Sequence, residues 1–305
     1  MTTAVNVQDP EIVAGLDLGW RDLTVTPDDV RRHAKAVGDH NPWYFDSSPF
    51  GEPVVPALFF HSQPLQFARQ TKDGWVRPAW FLSNRRGTLF TKQEWEFLDA
   101  ARVGEALRLH AIVVDRYNRR DREYVVSMTQ IFGADQRQIL QVRTFQSFLL
   151  DPDQPGIVVD KEREKTKSQV EISTADALGE LAPVRKHVTG EMCMRFSGPD
   201  KNYHSDREEA IAMGFPDIVV AGPLSVCFLG QMLTDSFGAG FYRGGRLAIR
   251  FVNPLWGNDT VATHGVIRER TPEGAALRTH VDVWCEKDHG TKTIVGTASA
   301  VSPME

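Results

Sequence analysis

Residues 198–206 read GPDKNYHSD, and residues 38–46 read GDHNPWYFD. Both stretches are polar, rich in the turn-forming residues Asn, Asp and Pro, and followed by an apolar segment. Each takes eight steps from its Gly to its closing Asp, so the two overlay without a gap. The overlay sets Asp39 on Pro199, Asn41 on Lys201 and Tyr44 on His204. Two copies of one such loop in a single chain are the first sign of an internal repeat.

The flanking sequence extends the repeat. Before the first loop, VTPDDVRRHAKAVG predicts a helix, with Thr26 as N-cap, Pro27 at the first helical position, and Asp28 and Asp29 in the first turn. After it, an apolar helical pattern runs from about Val55 to Arg69. GTLFTKQEWEFL, ALRLHAIVVDRY, REYVVSMTQIFG and QILQVRTFQSFLL then read as strands joined by tight polar turns. In the second half Asp206 caps REEAIAMG, which Gly214 ends, and a second helix from about Pro223 to Phe237 stops at Gly238. Behind it GRLAIRFVNPL, DTVATHGVIRER, ALRTHVDVWCEKD and TKTIVGTASAVS repeat the strand series. The charged segment 151–173 reads as a linker, which gives one domain over 1–150, a linker over 151–180 and a second domain over 181–305. A long apolar helix laid across an antiparallel sheet buries one face of each, an α+β architecture, and two such halves make a pseudo-dimer.

Composition bounds the function. The chain has 305 residues, 41% hydrophobic and 25% charged, with a formal net charge of −5. That balance is globular and offers no positive field for nucleic acid or an anionic membrane. Cys193, Cys227 and Cys285 are far apart and without CxxC spacing, so reduced buried thiols are expected rather than a disulfide or zinc site. MTTAVNVQDPEIVAG lacks a basic start followed by an apolar stretch, and the run Ile218–Gly230 is broken by Pro223, so the cytoplasm is the expected location.

The two loops, the segment NYHSDREEAIAMGFPDIVVAGPL and TKQEWEFLDAARVGEAL carry a resemblance to the MaoC-like family, which includes the R-specific enoyl-CoA hydratases, in its fused double hot-dog form. That resemblance implies two hot-dog repeats, each a long central helix wrapped by a curved antiparallel sheet. It also implies a loop of pattern D-x-N-P-x-H before the helix, and a Gly at the helix start that holds the thioester carbonyl. GDHNPWYFD matches the loop except that Tyr44 stands where the His belongs. GPDKNYHSD keeps His204 but has Pro199 at the Asp position and Asp200 one place late, and Gly222 falls at the Gly position.

From this resemblance the second half is expected to hold the chemistry, with His204, Asp200 and Gly222 as catalytic residues. A His and a carboxylate can share a water, and a backbone N–H at a helix start favours a developing oxyanion. Asn202, Tyr203, Asp39, Asn41 and Tyr44 are expected to contact substrate, the first half having become an acyl pocket or a structural partner. The implied activity is hydration or dehydration of an acyl thioester, with coenzyme A or a pantetheine as the substrate's handle and neither metal nor redox cofactor. Related eliminations or isomerisations, and acyl-CoA binding without turnover, are the alternatives. RYNRRDRE (116–123) reads either as a phosphate contact through Arg119, Arg120 or Arg122 or as a charged hairpin turn, and Asn84–Arg86 reads the same two ways. A monomer and a homodimer both fit a fused pair.

Overall fold

The computed structural model describes residues 12–61, 69–71, 74–76, 89–120, 122–150 and 171–303. Strand β1 (Asp17–Thr24) leads into helix α1 (Pro27–Val37), whose start is a reciprocal cap. The Thr26 hydroxyl accepts from the Asp29 N–H at 3.2 Å, and the Asp29 carboxylate accepts from the Thr26 N–H at 3.0 Å. Gly38 ends the helix at φ 67°, the left-handed geometry that glycine adopts without a steric penalty.

A short hairpin, β2 (Arg69–Thr71) and β3 (Gly74–Val76), precedes the four expected strands, β4 (Leu89–Phe97), β5 (Ala106–Arg119), β6 (Arg122–Phe132) and β7 (Gln138–Leu149). The second half adds β8 (Gly179–Glu180), β9 (Arg185–His187), α2 (Gly190–Ser197), α3 (Arg207–Ala212), α4 (Gly222–Phe237), α5 (Ala239–Tyr242), β10 (Arg246–Phe251), β11 (Thr260–Glu273), β12 (Ala276–Lys287) and β13 (Lys292–Pro303). One antiparallel sheet runs in the order β1-β5-β6-β7-β4-β10-β13-β12-β11-β8, with β9 also on β11. The halves meet at β4 and β10, where Gln93 pairs with Ile249 and Trp95 with Leu247. Gly179 and Glu180 already pair with β11, so the second half's sheet starts ahead of the boundary placed at residue 181. The proposed linker over 151–170 lies outside the described residues.

Helix α4 lies across the second half's strands and is apolar on nearly every side, the pattern of a helix enclosed by a core. Leu224, Phe228, Leu229, Met232 and Leu233 are fully buried. At its end Gly240 of α5 is forced by space, because a Cβ there would lie 1.8 Å from the carbonyl oxygen of Val301.

The repeat is written into the backbone hydrogen bonds. Val54 donates to Trp43, Val55 to Ala101, Val103 to Pro53 and Gly104 to Val25. In the second half Val219 donates to Tyr203, Val220 to Leu255, Gly257 to Ile218 and Asn258 to Val188. The gapless overlay of the two loops needs one correction. Asn41 Oδ1 accepts the N–H of Trp43, and Asn202 Oδ1 accepts that of His204, so Asn41 corresponds to Asn202 and Asp39 to Asp200. Tyr203 nevertheless answers to Trp43, so the second loop has one residue fewer between its Asn and its His.

The helix expected over Val55–Arg69 is also corrected. Val54 bridges to Arg102, a 3₁₀ turn occupies Phe59–His61, and Arg69 begins β2, while 62–68 lie outside the described residues. The reason is tertiary. The thiol of Cys227 on α4 reaches the Leu58 carbonyl at 3.6 Å, and Gly230 lets Leu58 approach where a Cβ would stand 2.8 Å from its Cγ. The neighbouring helix therefore occupies the space against this stretch.

Candidate active site

In the second half, the polar loop 198–206 is held by Asn202. Its side-chain amide donates to the carbonyls of Ser197 at 3.1 Å and Asp200 at 2.9 Å, while its oxygen accepts the His204 N–H at 2.9 Å. These bonds tie the loop to itself and to the end of α2, so the Asn202 side chain shapes the turn. Asp206 accepts from the N–H groups of Glu208 and Glu209 and caps α3, as expected.

The His204 ring is partly buried, with its centroid 3.9 Å from that of Tyr203. Its Nδ1 lies 2.7 Å from the carbonyl oxygen of Val219. A carbonyl only accepts, so Nδ1 carries the proton and Nε2 is the basic nitrogen. Burial pushes the imidazole pKa below its ordinary value, opposed by the Val219 bond. Three residues beyond Val219, α4 begins at Gly222, with Ala221 as an N-cap that supplies no side-chain hydrogen bond. The Gly222 N–H is therefore one of the open donors of a helix start, next to the strand segment that holds the imidazole. The Phe251 ring packs so closely on Gly222 that a Cβ would stand 2.8 Å from it.

Asp200 is exposed, and no hydrogen bond or ion pair joins its carboxylate to His204. The structure thus pairs the two loop asparagines and places both aspartates at equivalent positions, yet only the first half's aspartate is buried. Asp39 is 6% exposed and accepts from the Tyr44 hydroxyl at 2.8 Å and from the Asn41 N–H at 3.2 Å. Lys186, from β9 of the other half, donates to the Gly38 carbonyl at 2.6 Å and adds its charge beside Asp39. Burial raises the Asp39 pKa and lowers that of Lys186. Tyr242 closes the cluster, its hydroxyl donating to the Val55 carbonyl at 3.3 Å. Lys186 and Tyr242 carry no local motif in the sequence; only the repeat, which sets β9 and α5 against the first loop, brings them there.

With its donor gone, a buried carboxylate is left with an unmet desolvation cost. Tyr44→Phe is expected to lower the unfolding free energy by about 1–3 kcal/mol, read by urea denaturation. Because the folded pKa of Asp39 is raised, its contribution to stability is present in acid and is lost as pH rises through that value. The deficit of Tyr44→Phe is therefore expected to shrink as pH is lowered.

Arg122, one of the arginines considered for phosphate, is turned onto Ser147, bonding its hydroxyl at 2.9 Å and its carbonyl at 3.3 Å. Asn84–Arg86 lie outside the described residues. Cys193, Cys227 and Cys285 are all buried and unbridged. Among the described residues no helix is long and apolar enough to cross a membrane.

Residues 13–142 match a family model described as the FAS1-like dehydratase domain region. No curated protein matches the chain in sequence. Among solved structures, a MaoC-like dehydratase superposes with a TM-score of 0.70 at 16% identity, covering 97% of this chain and 99% of its own. A MaoC-like dehydratase from Phytophthora capsici gives a TM-score of 0.69 at 15% identity, covering 98% of this chain and all of its own. A conserved hypothetical protein from Mycobacterium tuberculosis with a double hot-dog fold gives 0.56 at 12% identity, over 96% and 97% of the two chains. With two backbone repeats on one sheet and this likeness along its whole length, the chain has the double hot-dog fold, and its residues 13–142 are similar to the dehydratase domain region.

Proposed function

We propose that the protein is a hydro-lyase that adds water to, or removes it from, an acyl thioester, and that His204 is its acid–base group. The observation that carries this reading is the imidazole fixed through Nδ1 on the Val219 carbonyl, beside the uncapped start of α4. In the hydration direction Nε2 takes a proton from water as the water oxygen bonds to the β-carbon. The electron pair of the double bond moves toward the thioester oxygen, which accepts from the Gly222 N–H. The imidazolium then returns its proton to the α-carbon, so the net change is addition of one water. Coenzyme A or a carrier-bound pantetheine is the handle on the substrate.

Asp200 does not reach the imidazole in this arrangement, so the chemical step is assigned to His204 alone. The same separation favours a second reading, acyl-thioester binding without turnover. Enoyl- and 3-hydroxyacyl-CoA esters of graded length, assayed by loss of enoyl absorbance, separate the two. Turnover lowered by about 10²-fold or more in His204→Ala supports the lyase, whereas tight binding with no turnover in any ester supports the binder. Asp200→Asn and Asp39→Ala are each expected to change kcat by less than about tenfold, below the range of a general acid–base group. A loss at Asp39 equal to that at His204 would move the chemistry to the first half.

A further inference from the structure

The pseudo-two-fold between the halves allows the inner faces of the two sheets to be compared position by position. Across the seam, Gln93 pairs with Ile249 and Trp95 with Leu247, so Gln93 corresponds to Leu247 and Trp95 to Ile249. Following the pairing outward, Thr144 corresponds to Ala298, Ser127 to Val281, Thr129 to Val283 and Gln146 to Ala300. At these five positions besides Trp95 the second sheet is apolar and the first is polar. Each of the five polar side chains is at most 4% exposed.

Burying a polar group is unfavourable unless it is hydrogen bonded. Within the patch Gln93 Nε2 donates to Thr144 Oγ1 at 3.3 Å. Gln146 Oε1 on β7 and, about four residues away along the strands, Trp95 Nε1 on β4 are buried with no hydrogen-bond partner among the described residues. An acceptor and a donor thus stand unmet on a sheet face whose counterparts at the five polar positions in the other half are Leu, Val and Ala. A plain hydrocarbon tail would gain nothing from this chemistry and would leave both groups unpaired.

Resting on the acyl-thioester reading above, we propose that the inner face of the first sheet binds an acyl tail bearing hydroxyl or carbonyl groups. The substrate class is then an oxygenated acyl thioester rather than a simple fatty acyl one. Gln146 Oε1 accepts from a tail hydroxyl and Trp95 Nε1 donates to a second tail oxygen further along the strands, with Ser127 and Thr129 on β6 opposite Thr144 and Val142 between those two positions.

The test uses pairs of enoyl-CoA esters of equal chain length, with and without hydroxyl or keto groups beyond the β-carbon, and the matching unreactive thioether analogues for calorimetry. The full-length protein is expected to favour the oxygenated member by about 100-fold or more in kcat/KM, as a site with buried donors and acceptors rejects an analogue lacking their partners. Gln146→Leu and the near-isosteric Thr129→Val are each expected to reduce that ratio by about three- to tenfold, without loss of melting temperature. Equal kcat/KM for both members, or a ratio untouched by both variants, overturns the proposal while leaving the lyase intact. Preferential binding of the oxygenated thioether with no turnover of any ester overturns the lyase instead and supports the polar tail site. A melting temperature lowered by both variants, with the ratio unchanged, shows the patch to be structural.

Discussion

On the proposed hydro-lyase reading, His204→Ala is expected to lower kcat/KM for hydration of the best enoyl thioester by about 10²–10⁴-fold, the range of a positioned general acid–base residue. The variant is expected to fold, because the side chain contributes one hydrogen bond to Val219 and a ring contact to Tyr203 at the edge of the core. The pH profile carries the same signature. The base form of His204 is neutral, and burial holds its pKa below the ordinary histidine value. The wild-type rate is therefore expected to be flat near neutrality and to fall on the acid side as the imidazole gains its proton, at a pH below the usual ~6.5. The His204→Ala remnant lacks that acid limb. A wild-type limb centred above the ordinary histidine value, or one that survives in the variant, would place the titrating group elsewhere.

Phe228→Ala is expected to give the largest loss of stability, about 3–5 kcal/mol. Phe228 is fully buried on α4, the helix that carries Gly222 at its start and touches Leu58 of the first half through Cys227 and Gly230. Truncation there removes the ring's burial and leaves a cavity that a helix enclosed by sheet cannot collapse into. At roughly 2–4 °C per kcal/mol for a chain of this order, the melting temperature falls by roughly 6–20 °C in calorimetry. A fall below about 2 °C would mean that α4 is not the centre of the core.

Much of the architecture was legible because its causes are local. The Thr26 and Asp29 reciprocal cap, Pro27 and Gly38 bound α1 within a dozen residues, and Asp206 and Gly238 mark helix ends in the same way. In β5 the alternation of apolar and polar residues announces a strand that buries one face. The helical pattern after Val55 misled, since periodicity reports which face could be buried but not whether a neighbouring helix already fills the space, as α4 does beside Leu58. The loop overlay slipped by one residue for a related reason. Spacing counts residues, whereas Asn41 and Asn202 are equated by the hydrogen bonds they accept.

The candidate site was less legible. His204 and Gly222 stood out by resemblance, but the carbonyl that orients the imidazole belongs to Val219, a residue with no side-chain signal. Asp39 and Asp200 occupy equivalent places in two similar loops, and nothing in either loop says that one is buried against Tyr44 while the other faces solvent. The polar inner face of the first sheet emerges only once register assigns each residue its counterpart in the second.

What the chain's order of residues determined by itself is the repeat, the capped helix ends and the strands, since capping and side-chain period act over a few residues. The tertiary structure alone decided which polar groups meet, because those meetings join distant residues, as Lys186 joins Gly38 across 148 positions. Burial then sets the chemistry of each group, raising the pKa of Asp39 and lowering that of His204, and burial is a property of the packed whole.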